Sequence, residues 1–282
     1  MSHNRLIASI VLVLSVHCFS PNQAEEATVA GEIFAASGVN AGLCLHLGCG
    51  REASADLTAA LAGNPMLVVH GIALDDAALA RTREKIEAKG VLGRAMADKL
   101  EINPLPYLPD LANLVVVEDL AALTEKGLTK EELLRVIAPN GVLLVKEGGK
   151  WEKTVKPRPA EMDDWTHTRH GADYNPYSND KQVKIPAGFR WIDGIPMCLN
   201  RWASTRGYVF AGGRCYTLSS NEIENLAGPV IGKDNYLQAR DAYNGIPLWK
   251  ILCGPANEIS AGLNFRNSAP LVADGQRVYT LV

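Results

Sequence analysis

Apolar and polar positions follow two different rhythms along the chain. From residue 30 to 147, short unbroken apolar runs alternate with stretches of helical period. Leu43-Cys44-Leu45-His46-Leu47, ending at Gly48, predicts a strand. Asp56 to Ala62 predicts a helix, broken by Asn64-Pro65, and Met66 to Leu74 a second strand. Asp76 to Lys89 is amphipathic, with Leu79, Arg83 and Ile86 on helical spacing and Gly90 as its C-cap. Leu114-Val115-Val116-Val117 predicts a fully buried strand. Thr129-Lys130-Glu131-Glu132 is a capping box that opens a helix through Ile137. Pro139-Asn140-Gly141 then turns the chain into a strand over Val142 to Val145. Strands that are apolar throughout, alternating with helices, predict a parallel α/β sheet.

After Lys150 the helical patterns vanish, and Gly, Pro, Asn and aromatics rise. All five tryptophans, Trp151, Trp165, Trp191, Trp202 and Trp249, lie in this part. Short strands over Tyr208 to Ala211, Arg214 to Leu218 and Arg277 to Val282 sit between Gly-rich turns, an all-β signature. Residues 148–185, rich in Lys, Pro, Asp and Asn, read as a linker with an irregular lead-in.

The first residues fall outside both rhythms. A positive charge precedes the apolar run Leu6 to Val16, and Ser20 to Ala24 supplies a turn and a small residue before Glu25. That is the layout of a signal peptide over residues 1–24, with a run too short to span a bilayer. It implies a periplasmic or secreted protein. Removing it leaves Cys44, Cys49, Cys198, Cys215 and Cys253, an odd number without a C-x-x-C. Cys44 and Cys49 therefore read as small buried apolar residues rather than parts of a disulfide framework. A net charge of -3 with scattered Lys and Arg gives no footprint for nucleic acid or a membrane surface.

The run Ala239-Arg240-Asp241-Ala242-Tyr243-Asn244-Gly245-Ile246-Pro247-Leu248-Trp249 carries the pattern A-x-D-x-x-x-G-x-x-x-W. Asp241 can bond turn amides, Asn244-Gly245 is a hairpin turn pair, and Trp249 sits on the return strand. The pattern resembles the tryptophan-docking motif of quinoprotein-type β-propeller blades, where the tryptophan packs between neighbouring blades. The resemblance implies an antiparallel partial β-propeller over residues 186–282. At roughly 40 residues per blade this is the start of a ring, with an apolar edge at Leu271, Val278 and Leu281. Pyrroloquinoline quinone needs a calcium ion, an aspartate base and stacking residues from several blades, so it is not expected from this stretch.

Leu45-His46-Leu47-Gly48-Cys49-Gly50 lies at the first strand-to-helix turn. Two glycines there let backbone approach a ligand near a helix N-terminus. Together with Gly71-Ile72-Ala73-Leu74-Asp75, Leu105-Pro106-Tyr107 and Leu134 to Leu144, it resembles a class I S-adenosylmethionine-dependent methyltransferase over about residues 35–147. The resemblance implies a Rossmann-like domain (residues 30–147) binding S-adenosylmethionine through Gly48, Cys49, Gly50, Asp75 and Glu101. Some positions depart from the family pattern. His46 and Glu52 stand where an acid and a third glycine are usual. Ala73 stands where an acid holds the ribose hydroxyls, and Asp75 lies about 6–7 Å further along the chain. Losing such a carboxylate contact costs about 1–3 kcal/mol.

Asp163-Asp164-Trp165-Thr166-His167-Thr168-Arg169-His170 packs two acids and two histidines together. The acids are expected to cap a turn and the histidines to bond backbone; a metal site with both histidines on one helical face is the other reading. Three functions stay open. The first is a methyltransferase-like domain, active or degenerate, joined to propeller repeats. The second is a secreted scaffold whose propeller binds a protein or glycan. The third is a quinone-dependent dehydrogenase.

Overall fold

The computed structural model describes residues 28–183, 185, 190–191, 205–219, 234–255 and 271–280. The leader, Cys198 and Trp202 lie outside them. The first half forms strands β1 (Gly42–Cys49), β2 (Leu67–Ala73), β3 (Ala95–Asp98), β4 (Ala112–Val117), β5 (Ile137–Glu147) and β6 (Lys150–Val155). They make one sheet in the order β3-β2-β1-β4-β5-β6. The first five strands are parallel, and β6 runs antiparallel to β5.

Helices α1 (Val29–Ser37), α2 (Leu57–Leu61) and α3 (Asp76–Ala88) supply Ile33, Leu61 and Ile86 to one face, over Cys44, Val69, Leu114 and Leu144. Helices α4 (Leu120–Glu125) and α5 (Lys130–Val136) supply Leu123, Leu133 and Val136 to the other, over Leu45, Leu47, Val115 and Leu143. Both faces are covered, which is why the strands read as unbroken apolar runs. Cys44 and Cys49 are buried free thiols, and burial pushes Cys44 up to about 12.

Several local details differ from expectation. Thr129 caps α5 by accepting from the Glu132 amide at 3.2 Å. Glu132 does not return that bond; its carboxylate accepts from Leu105 N at 2.6 Å and from Arg135. The box is half formed because the Arg135 guanidinium and a loop amide outcompete the cap. Pro139-Asn140-Gly141 is no separate turn. It is a bulge inside β5, where the register on β4 jumps from Ala112–Ile137 to Leu114–Val142 and Asn140 takes a φ of 65°. Strand β6 occupies the start of the segment expected to be a linker. It is joined to β5 through Gly148 and Gly149, both at positive φ.

The second half forms β7 (Thr205–Ala211), β8 (Arg214–Ser219), β9 (Asp234–Asp241) and β10 (Pro247–Pro255), an antiparallel sheet in the order β10-β9-β8-β7. Strands β11 (Leu271–Ala273) and β12 (Val278–Thr280) pair separately. Val209, Tyr216, Leu218, Leu237 and Ala239 form its core with Leu271 and Ala273. The expected exposed edge at Leu271 is thus corrected: that side chain is fully buried, and Val278 packs beside it. Leu281 lies outside the described residues.

Asp241 works as its motif position suggests. Its Oδ1 accepts from Tyr243 N at 2.8 Å and Asn244 N at 3.0 Å, closing the turn between β9 and β10. Trp249, on β10, tilts against Tyr216 of β8 with ring centroids 5.9 Å apart.

The same turn docks on the parallel sheet. Asn113 Nδ2, on β4, donates to Asp241 Oδ2 at 2.6 Å. Asn113 Oδ1 accepts from Leu43 N at 2.8 Å and from Asn244 Nδ2 at 2.9 Å. Asn244 Nδ2 also donates to Leu111 O. Truncating Asn113 orphans a strand amide and a buried carboxylate at once, at about 1–3 kcal/mol for each group. Asn113→Ala is therefore expected to lower unfolding free energy by about 2–4 kcal/mol in urea melts. A loss within about 0.5 kcal/mol, ordinary for a surface change, would show that this contact does not hold the sheets together.

Candidate functional site

In an open parallel sheet, ligands bind beyond the carboxyl ends of the strands, where the strand order reverses. Here that point lies between β1 and β4. The Gly48–Gly50 turn leaves β1 there, and Glu118 and Asp119 follow β4.

The two glycines have different surroundings. Gly48 has a φ of 76°, and a Cβ on it would meet only Leu123 Cδ2, at 3.8 Å. Its backbone is approachable. Gly50, at φ 80°, is closed in: a Cβ would lie 2.1 Å from Ala78 O and 2.7 Å from Thr82 Oγ1. Gly50 exists so that β1 and α3 can touch. Arg81 Nε seals the contact by donating to Gly50 O at 2.9 Å. Cys49 is buried beside Thr82 Oγ1 at 3.5 Å, and burial pushes its thiol up. That keeps it in the unreactive thiol form.

Asp75 sits in the same corner as Gly50. Its Oδ1 accepts from Ala78 N at 2.7 Å and caps α3. Ala73 is fully buried at the end of β2. Glu101 is exposed in the segment after β3. The structure therefore gathers Gly48, Cys49, Gly50 and Asp75 around one strand-helix corner, with Glu101 exposed on the segment that follows β3.

A buried polar network fills the base of the crevice, and linear spacing could not show it. His46, fully buried, places Nδ1 2.8 Å from Thr58 Oγ1 and Nε2 3.3 Å from Glu118 Oε2. Each ring nitrogen thus has a partner, the Thr58 hydroxyl at Nδ1 and the Glu118 carboxylate, which accepts, at Nε2. Ser54 Oγ donates to the same Glu118 oxygen at 2.7 Å. Burial pushes the Glu118 carboxyl up, but bonds from His46 and Ser54, with the charges of His46 and Lys146, hold it below its ordinary value. At the surface Arg51 Nη1 meets Asp119 Oδ2 at 2.6 Å, and Asp119 Oδ1 caps α4 at Ala122 N. The Ala122 amide and Arg51 hold that carboxyl down.

An open pocket of about 660 Å³ lies next to this network, lined by Glu118, Asp119, Leu120, Thr124, Lys146 and Glu147 among others. None of Gly48, Cys49, Gly50, Asp75 or Glu101 lines it. The Asp163–His170 tract is elsewhere and is not helical. Trp165 pairs with Phe210 of β7 through both backbone groups, and His167 pairs with His170. His170 Nε2 donates to Asp163 Oδ2 at 2.6 Å, so the side chain binds a carboxylate rather than backbone. The Asn179 amide, with help from His170, holds the Asp163 carboxyl down. Among the described residues, no group of three or more His, Cys, Asp or Glu is placed to hold a metal.

No protein-family model matches the chain, and no curated protein matches it. Solved structures do. One described as an S-adenosyl-L-methionine-dependent methyltransferase from Methanococcus maripaludis is 18% identical, with 43% of this chain aligned to 55% of that one and a TM-score of 0.38. A methyltransferase from Thiobacillus denitrificans in complex with S-adenosyl-L-homocysteine is 21% identical, with coverages of 42% and 47% and a TM-score of 0.35. The cyclase SpnF is 21% identical, with coverages of 43% and 46% and a TM-score of 0.37. The chain spans about half the length of these structures. The mostly parallel, Rossmann-like character of the sheet stands on its own strand order and directions.

The network makes a pH prediction. The Glu118 carboxyl is lower in the folded chain than its ordinary 4.5. Its stabilisation is therefore present above that value and lost as pH falls through the folded value. Glu118→Ala should cost about 1–3 kcal/mol at neutral pH by orphaning His46 Nε2 and Ser54. It should cost progressively less below pH 4.5. Urea melts at several pH values check this, and an equal cost at all of them would contradict the assigned bonds.

Proposed function

We propose that the first domain binds S-adenosylmethionine at the carboxyl ends of β1, β2 and β4. The observation that carries this reading is Gly48: a left-handed glycine whose Cβ position would touch only Leu123 Cδ2, at 3.8 Å, at the reversal point of a parallel sheet. Gly48 would offer backbone to the ligand, with Asp75 and Glu101 as the nearest candidates for its sugar and base. Asp75 keeps one carboxylate oxygen beyond the one that caps α3. When bound, the cofactor supplies an activated methyl group. The side chains that face it do not assign a base. His46 is buried and committed to Thr58 and Glu118, so it holds the carboxylate in place rather than moving a proton to a substrate. The reading is thus a methyltransferase-like binding domain, with transfer of the methyl group unassigned to any residue.

For the second half we propose the opening blades of a quinoprotein-like propeller over residues 186–282. The support is a four-stranded antiparallel sheet in which Asp241 bonds the turn amides, Gly245 sits in the turn at positive φ, and Trp249 lies on the return strand against Tyr216 of the same sheet. The leader and an extracytoplasmic location belong to the same proposal.

Calorimetry and thermal unfolding with S-adenosylmethionine and S-adenosylhomocysteine test the first domain. At 100 times the dissociation constant, ligand should add about 2.7 kcal/mol of stability. Gly48→Ala, whose Cβ meets only Leu123 Cδ2 at 3.8 Å but strains the left-handed backbone at φ 76°, should weaken binding at least about tenfold, or roughly 1.4 kcal/mol, with its unfolding midpoint measured alongside to separate strain from lost binding. No stabilisation by either compound at millimolar concentration would overturn the assignment.

A further inference from the structure

A second pocket, of about 490 Å³, lies between the two sheets, at the amino ends of the parallel strands. Neither the nucleotide reading nor the blade motif uses it. One wall comes from the first domain: Asn40 before β1, Asn113 on β4 and Asn140 in the β5 bulge. The other comes from the second sheet: Arg214, Tyr243 and Trp249. Ligand pockets of this size concentrate where domains meet.

The chemistry of the lining is mixed but neutral. Trp249 and Tyr243 bring aromatic surface, and both are partly exposed. The side-chain amides of Asn40 and Asn140 make no hydrogen bond among the described residues. Each amide offers two N–H donors and one carbonyl acceptor. Asp241 is not available to a cation, because Asn113 and the Tyr243 and Asn244 amides already bond its carboxylate. Arg214 stands opposite Asp241 in register, and its charge acts on that carboxylate. They are the one cation and the one anion of the lining, so the wall carries no net formal charge. An ionised ligand would gain no net attraction and would lose its hydration. A sugar ring suits the same lining. Its C–H face packs on aromatic rings, and its hydroxyls both donate and accept toward the amides. At the rim, Gly38 has nothing within 4 Å of where a Cβ would stand, so the mouth has room for chain extension.

We propose that this interdomain pocket binds a short neutral oligosaccharide, stacked on Trp249 and hydrogen-bonded by Asn40 and Asn140. The site is independent of what the first domain binds, because it lies at the opposite ends of the strands.

Titration of the full chain by calorimetry with maltotriose, cellotriose and tri-N-acetylchitotriose tests this. At least one should bind with a Kd of about 1 mM or tighter. Trp249→Phe should weaken that binding, and so should Asn140→Gly, by about fivefold or more. Asn140→Gly keeps the left-handed backbone at that position and should leave the unfolding midpoint in place, so it reports on the pocket even if Trp249→Phe destabilises the sheet. S-adenosylmethionine affinity should not change in Asn140→Gly, which separates failure here from failure of the first-domain reading. The proposal is overturned by no binding of any of the three at about 10 mM. Binding indifferent to both substitutions would overturn it too, as would binding of tri-galacturonate in place of all three neutral sugars.

Discussion

The side chain of Asn113 has one oxygen and one nitrogen, and the relation between the two halves of the chain depends on both. Its carbonyl accepts from the first amide of β1's apolar run and from Asn244, and its amide donates to Asp241. The approach is so close that a Cβ on Gly42 would lie 2.1 Å from Asn113 Oδ1. Only glycine, at φ 105°, can begin β1 there. Because β1 and β4 are the central strands, a turn fixed to Asn113 is fixed to the middle of the sheet. Arg190 adds bonds to Pro109 O and Asp110 O nearby, and Trp191 Nε1 donates to Ala242 O. The β9–β10 turn thus does two jobs: it closes its own hairpin through Asp241 Oδ1 and registers the second sheet through Asp241 Oδ2.

That arrangement docks the second sheet at the amino ends of the strands and leaves their carboxyl ends clear of it. What occupies the carboxyl ends is a matter of competition for polar partners. Position 46 is a histidine, and a fully buried imidazole needs partners at both nitrogens. Thr58 and Glu118 provide them, and Ser54 completes the carboxylate. Above this fixed base, Arg51–Asp119 is an exposed pair of small energetic weight, of the kind that opens readily when something else offers itself. The crevice is therefore rigid below and yielding above, which suits a binding site more than it suits proton transfer.

Much of the fold was legible because its signals were local. Gly90 takes the left-handed conformation expected of it just past α3, Thr129 caps α5, and apolar runs mark β1, β2 and β4. What escaped was set by partners distant in sequence. Strand β6 was hidden because it is a sheet edge with Lys150, Glu152 and Lys153 exposed, so its pattern looks like a linker; only the Gly148-Gly149 pair hinted at a hairpin. Helix α1 was missed although Thr28 and Gly38 bracket it with standard caps. At the site, the G-x-G spacing located the turn but could not say what each glycine was for. Gly50 turned out to serve the packing of α3, and Asp75 the cap of that same helix. The His46–Glu118 pair joins residues 72 positions apart, so no motif could have announced it.

The two ends of the parallel sheet are physically separate. Strand β1 has eight residues, which at about 3.3 Å each sets its ends roughly 26 Å apart. Substitutions further apart than about 7–10 Å with no shared partner act additively. Residues at the Asn113 end and at the Glu118 end meet that condition. Coupling between them would require an element with two alternative arrangements that both ends bias. The strands that connect them are poor candidates, since helices cover both their faces, over Leu45, Leu47, Val115 and Val117 on one and Cys44, Leu114 and Val116 on the other. The yielding parts, Arg51–Asp119 above one end and the Asn140 bulge at the other, are each local. On the two binding proposals made above, ligand at either end of this sheet should leave the other end's affinity as it was.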